Sequence, residues 1–389
     1  MKTTLASRYL VPLCIFAAGS ASAQTVIVVD DDGGVGVDYT EIQPAIDAAG
    51  PLDRIEVRGG SYGSFVASGP VSIIGRDSNP RTAYFDEGVF TGLMSGEIAV
   101  LADVHVETLV LTDSDGTQIV DAVRAGRIEV TRCADARLQT SAGNSLLRTE
   151  ALDVVDSFVQ CMDLLVLPQI AGIEEDGDAA ITSTRSTLYL TNCEIEGGAG
   201  GDQGLCWGGY LPEGGPALAL RSSDVRLLGS EISGGGQGWD CFSSPSGVPG
   251  PNVSFLDGDN TVVEADTTFY RYSYSYQKIV GSDFEGPGAV TSLPGLPWLA
   301  LGGGTAPGTA ALFDFHAEPG SALRAFLGRR PVVVAVPGLA VPLLHSAERG
   351  VSLGATPGTG SISLPFVLPN LPTGTLIHVQ SSRTAGSGA

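Results

Sequence analysis

Tyr270, Tyr272, Tyr274 and Tyr276 alternate with Arg271, Ser273 and Ser275. In an extended chain alternate residues face one side, so this run would present four rings in a row. Rings with hydroxyl tips could hold a sugar chain. The same row could be a rigid aromatic strand that closes the end of a core. Trp207 and Trp239 carry the same two readings, glycan contact or loop packing. Asp257-Gly258-Asp259 and Glu174-Glu175-Asp176-Gly177-Asp178 could hold calcium through oxygen ligands. Both lack the full spacing of a calcium loop, and Asp-Gly is ordinary turn chemistry. Asp30-Asp31-Asp32, ahead of Gly33-Gly34, reads as a turn in the same way. Paired carboxylates could also hydrolyse a glycoside, an activity that depends on their separation in space.

Other chemistries find little support. There is no Gly-x-Ser-x-Gly and no Walker loop. Of four histidines, three (His316, His345, His378) lie beyond position 300, and no CxxC occurs, which argues against zinc. No residue is assigned a catalytic role, and calcium is the one cofactor the sequence admits.

These residues need a frame. Lys2 and Arg8, the apolar stretch from Tyr9 to Ala18 and Ala21-Ser22-Ala23 form an export signal, predicting a mature chain from Gln24. The expectation is a secreted or surface protein with no membrane segment after cleavage. Between residues 24 and 280 the chain has 38 acidic and 14 basic residues, a net −24. Such a body repels nucleic acid and anionic membranes. Polysaccharide or cell-envelope components are the expected partners. The cysteines left after cleavage are Cys133, Cys161, Cys193, Cys206 and Cys241. An odd count leaves a thiol unpaired or intermolecular. Cys206 and Cys241 sit in successive glycine-rich excursions and are the expected disulfide.

The frame itself shows as a repeat. The pattern apolar-x-apolar-x-x-small-x-apolar fits segments starting at Ile55, Leu152, Leu188 and Val225, with a weaker copy at Ile128. Most copies follow an arginine: Arg54, Arg124, Arg148, Arg185 or Arg221. Each unit is a short strand, a corner and a second strand. One unit cannot bury its apolar face alone, but stacked coils can. Aligning the copies puts Cys133, Ser157, Cys193 and Ser230 in one inward register, with Cys133 and Cys193 too far apart for a disulfide. Residues 40–49 read as a short helix. Ile42, Ala45, Ile46 and Ala49 share one face, and Thr40 with Gln43 makes a capping-box pattern. That helix would cover the open end of the first coil.

The run Tyr39-Thr-Glu-Ile-Gln-Pro-Ala-Ile-Asp-Ala-Ala, then Asp53-Arg-Ile-Glu-Val57 and Gly60-Ser-Tyr62, resembles the entrance of pectin-lyase-like right-handed parallel β-helix proteins. The resemblance covers about the first fifth of the chain. It implies an all-β domain, a right-handed parallel β-helix with an N-terminal helical cap, over residues 24–280. In that family, pectate lyases use an acidic calcium cluster with an arginine base. Esterase members use two aspartates and a glutamine, and polygalacturonase members use close aspartates with Gly-His-Gly. None of these sets stands in this chain, and Leu296-Pro297-Trp298 matches only a fragment of the esterase signature. Residues 315–380 are similar to C-terminal modules of planctomycete-type secreted proteins, implying a small β-sandwich-like domain over 305–380. Residues 281–304 read as a Gly/Pro-rich linker and 381–389 as a loose tail. The function expected is an exported, non-catalytic recognition or structural scaffold. The alternative is a divergent carbohydrate-active enzyme.

Overall fold

The computed structural model describes residues 25–292, apart from 52, 77–82, 141–146, 169–170, 173–174, 202–211, 239–246, 266 and 273–276; beyond these it describes strand backbone between 298 and 384. The expected export segment lies outside these residues.

Residues 25–292 form a parallel β-helix with three walls. The first wall runs Val26–Val29, Arg54–Val57, Ser72–Gly75 and Ile98–Ala102. It continues through the ends of His105–Asp121 and Arg124–Gln139 to Phe158–Met162, Thr187–Thr191, Asp224–Leu228, Thr261–Ala265 and Ala289–Ser292. The second wall begins at Gly60–Tyr62 and ends at Thr268–Tyr272. The third begins at Phe65–Ala67 and ends at Phe284–Glu285. The parallel crossovers of such walls wind right-handed as a rule.

Period-2 patterning builds the core. Ile27, Ile55, Ile73, Leu101, Val120, Leu138, Cys161, Leu190 and Leu227 are successive partners across the first wall, and all are buried. Each fully buried Leu or Ile of this kind contributes about 1.5–3 kcal/mol. The third wall supplies a facing stack of Leu109, Ile128, Leu152, Ile181, Leu218 and Val253. Opposite Phe65, Gly88 makes room for the ring, because a Cβ there would lie 2.7 Å from Phe65 Cζ.

A polar ladder marks the corner between the third and first walls. The Cys133 thiol lies against the backbone of Ser114. Ser157 Oγ accepts the amide of Cys133 at 3.0 Å, and Ser186 Oγ that of Ser157 at 3.1 Å. Ser223 Oγ accepts Ser186 N–H at 3.3 Å, and Asn260 Oδ1 accepts Ser223 N–H at 3.0 Å. The preceding residues, Asp113, Arg132, Asp156, Arg185 and Ser222, all have φ near +50°. This left-handed turn aims the next amide inward, and the ladder satisfies it.

The corner also corrects the expected alignment. Leu152 pairs with Ile181 on the third wall, whereas Leu188 pairs with Val159 on the first. Cys133 and Ser157 belong to the ladder just described. Cys193 and Ser230 form a separate one at the corner between the first and second walls. The same pattern recurs because both corners need an inward strand followed by a small residue.

Coil length is uneven. Successive coils take 19 residues from Leu101 to Val120, 18 to Leu138, 23 to Cys161, 29 to Leu190 and 37 to Leu227. From Cys161 onward the growth lies between the second and third walls, in the glycine-rich excursions. Their described parts are not free surface loops. Gly198 N–H donates to Asp178 O, Gly215 N–H to Gly198 O, Gly235 N–H to Gly215 O and Gly250 N–H to Gly235 O, at 2.7–2.9 Å. Sideways bonds join Gly197 to Ser233, Gly200 to Gly236 and Gly214 to Val248. Gly197, Gly198, Gly200, Gly215, Gly235 and Gly250 are buried. A Cβ on Gly235 would stand 1.9 Å from Gly198 O. Extended segments here pack backbone on backbone, and only glycine permits that approach.

At the N-terminal end the helix Ile42–Ala48 buries Ile42 and Ala45, and Ile46 and Ala49 pack on the core. The capping box is not formed: Glu41 is the cap and makes no side-chain cap bond. Gln43 instead accepts Val66 N–H at 2.8 Å and donates to Val66 O at 3.0 Å. It thereby satisfies the exposed edge of the third wall, which is the stronger demand.

The β-helix runs past the expected boundary at 280, through Phe284–Glu285 and Ala289–Ser292. The C-terminal strands are antiparallel and form three small sheets. Trp298–Gly303, expected as linker, pairs with Ala310–His316, and His378–Thr384 carries a strand into the expected tail.

Candidate functional site

Tyr270 and Tyr272 lie on Thr268–Tyr272, which pairs antiparallel with Lys278–Val280. That reversal ends the second wall. Tyr272 donates its hydroxyl hydrogen bond to Glu196 Oε1 at 2.5 Å, and Lys278 Nζ reaches Glu196 Oε2 at 2.5 Å. Lys278 also stands 5.8 Å over the Tyr272 ring. Burial and then the Glu196 carboxylate push the Tyr272 phenol well above its usual pKa. Its hydroxyl thus fastens the last strand to the coil of Glu196. Tyr270 accepts Asn252 Nδ2 on its carbonyl at 2.5 Å. Tyr274, Tyr276, Trp207, Trp239, Cys206 and Cys241 lie outside the described residues.

Asp257 faces donors rather than an open cavity. Its oxygens accept Ser222 N–H at 2.9 Å, Ser222 O–H at 2.8 Å and Asn260 Nδ2 at 2.7 Å. The Ser222 amide, the largest cause, helps to hold its carboxyl below the usual range. Asp259 meets it through its backbone N–H, at 3.4 Å. Asp257 therefore serves as the acceptor that closes this turn. Asp30, Asp31 and Asp32 have carboxylate oxygens within 4.8 Å of one another. Asp30 is paired with Arg58 at 3.0 Å, and Asp31 accepts Ser61 N–H at 2.9 Å.

The second wall carries a column that the sequence reading did not assemble. Its outward residues pair in the order Ser61, Tyr84, His105, Arg124, Arg148, Leu165, Glu194 and Glu231. Four consecutive coils thus present Tyr84, His105, Arg124 and Arg148 side by side, each half-buried. The Tyr84 and His105 rings meet edge to face, with centroids 5.0 Å apart. Arg124 and Arg148 have no ion-pair or side-chain hydrogen-bond partner among the described residues. By contrast Arg54, Arg58, Arg127, Arg132, Arg137 and Arg185 are all ion-paired.

Beside this column runs an acidic one. Glu107 follows His105 by two residues, and Glu150 follows Arg148 by two. Gly126 lies between them, its carbonyl accepting the Glu150 amide at 3.0 Å. A Cβ on Gly126 would stand 3.0 Å from Glu107 Oε1, so that carboxylate leans over the glycine. Desolvation raises the Tyr84 phenol pKa, and Glu107 and Asp86 add to the shift. The hydroxyl therefore stays a donor. The site offers guanidinium, imidazole and phenol donors next to carboxylate acceptors.

The one signal in the sequence was the arginine ahead of the repeat copies. It held two kinds of residue. Arg124 and Arg148 point outward from the second wall, whereas Arg185 sits at a left-handed corner and pairs with Asp156. Comparisons with family models, curated proteins and solved structures found no match.

Proposed function

We propose that this chain is an exported recognition scaffold whose β-helix holds ligand-binding side chains in fixed columns on its outer wall. The observation that carries the reading is the stacked pair Arg124 and Arg148, without an ion-pair partner among the described residues, beside His105 and Tyr84. Like charges directly opposite on a sheet are destabilising, and a ligand is the natural relief. The rigid backbone means that little order is lost when a ligand docks. No helix among the described residues is long and apolar enough to cross a membrane. That is compatible with a released or surface-displayed protein.

The second reading is a carbohydrate-active enzyme. It draws on one observation, the juxtaposition of Tyr84 with His105 and with Glu107. The test is a polysaccharide array probed with the mature chain, with and without calcium, for both binding and product release. Binding without release supports the scaffold. Release of product, lost on His105→Ala, replaces it with the enzyme. Silence in both assays overturns recognition of polysaccharides.

A further inference from the structure

We infer, resting on the recognition reading above, that the column Tyr84–His105–Arg124–Arg148 binds a sparsely anionic glycan. One acidic group would sit on the arginine pair, and neutral, hydroxyl-bearing rings would lie along the rest. Arg124 and Arg148 are direct partners on adjacent coils, about 4.8 Å apart. At that spacing two guanidinium groups can share one carboxylate or one sulfate, each through charge-assisted hydrogen bonds. An oxyanion there cancels a repulsion that the folded chain otherwise carries.

The acidic column sets the rest of the specificity. Asp86, Glu107 and Glu150 flank the basic column, and the chain around them is net negative. A polymer charged on every ring would place anions against these carboxylates and be repelled. Neutral rings would instead donate hydroxyl hydrogen bonds to them. Between Glu107 and Glu150 stands Gly126, and the Glu107 carboxylate closes over it, so that acceptor lies against the wall. His105 and Tyr84 continue the column away from the arginines and offer an imidazole and a phenol to the next ring. The ligand would thus lie along the stack of coils, with its charged group at the Arg148 end.

The experiment is calorimetric titration of the mature chain with matched oligosaccharides of one length. One is neutral, one bears a single carboxylate, one a single sulfate, and one carries a carboxylate on every ring. The expected result is that at least one singly charged oligomer binds, and that both the neutral and the fully charged oligomer bind more weakly. Arg124→Gln with Arg148→Gln should lower that affinity about ten- to a hundredfold, the loss of charge-assisted bonds. The double variant should fold as well as the parent, because it removes a repulsion; a matching thermal midpoint checks this. Preference between the two singly charged oligomers identifies the anion. Tightest binding of the fully charged oligomer overturns the sparse-charge inference and leaves recognition standing. Affinity unchanged in the double variant overturns the site. Failure of all four, while the array finds another glycan, also overturns the site; silence of the array as well overturns the recognition reading itself.

Discussion

Arg132 grips the carboxylate of Asp113, its neighbour one coil away, through Nε to Oδ1 at 2.5 Å and Nη2 to Oδ2 at 2.8 Å. Arg185 repeats the bidentate contact with Asp156 at 2.7 and 2.8 Å. All four residues stand at left-handed corners, so acid and base alternate along one edge of the helix. The groups are about half exposed, and each pair alone adds little to stability at moderate salt.

Their collective effect should appear in acid. Bonds from Arg132 and Arg185 lower the carboxyls of Asp113 and Asp156, and amides of Gly50 and Thr25 lower that of Asp53. A carboxylate with a depressed folded pKa stabilises above its unfolded value, about 3.9, and loses that contribution as pH falls through the folded one. The thermal midpoint should therefore fall steeply below about pH 4. Asp103 has the opposite sign. Burial, and then Asp121, raise its carboxyl, so its charge opposes folding at neutral pH and the penalty fades on acidification. Asp103→Asn keeps a residue that tolerates the positive φ. It should raise the midpoint at pH 7, by less than about 1 kcal/mol after solvent screening. A lower midpoint for that variant at pH 7 would contradict this account.

The glycine bundle should tolerate no side chain. In Gly215→Ala the new Cβ would stand 2.2 Å from Asp178 O and 2.4 Å from Gly177 O. Backbone must move, at a cost of about 1–3 kcal/mol or more. Gly258→Ala is the control, with no atom within 4 Å of its Cβ. Urea unfolding of the two variants separates the predictions, and equal midpoints would refute backbone-on-backbone packing.

The corner ladder can be broken at one rung. Ser186→Ala removes the acceptor of the buried Ser157 amide, and should cost about 1–3 kcal/mol. Cys133→Ser keeps the bonds to Ser157 and Thr131 and should be nearly neutral. Chemical denaturation of both checks the contrast.

Tyr272→Phe tests the closing role of the last strand. It leaves the ring and removes the hydroxyl bond to Glu196. The expected outcome is a loss of about 1 kcal/mol in stability with glycan binding unchanged. Binding lost at unchanged stability would return Tyr272 to the ligand surface.

Thiol chemistry supplies a last check. Burial pushes the Cys133 and Cys193 thiols up to about 12, and Cys161 is raised well above the ordinary thiol value for the same reason. All three are free and buried. They should resist iodoacetamide until the chain unfolds. Peptide mass mapping of the native, unreduced protein also decides the expected Cys206–Cys241 bond, since alkylation of both would exclude it.

Much of the fold could be read locally. Alternation at Ile55 and Val57, or at Leu188 and Leu190, specifies an inward face, because side chains in a strand alternate over two residues. The small residue after each corner, such as Ser157 or Cys193, follows from the same local geometry. So does the helix at the N-terminal end, whose apolar face needs only its own spacing. What the sequence by itself determined is that this chain makes short strands and corners with one buried side.

Which strand lies on which wall was decided only in three dimensions. Leu152 and Leu188 carry one pattern but sit on different walls, because coil length depends on how far each excursion travels before returning. The packing of the glycine excursions has no local signal, because their partners are other excursions well removed along the chain. Arg124 and Arg148 are 24 positions apart and become neighbours only through stacking. A column across coils has no local period, so the candidate site belongs to the tertiary structure alone.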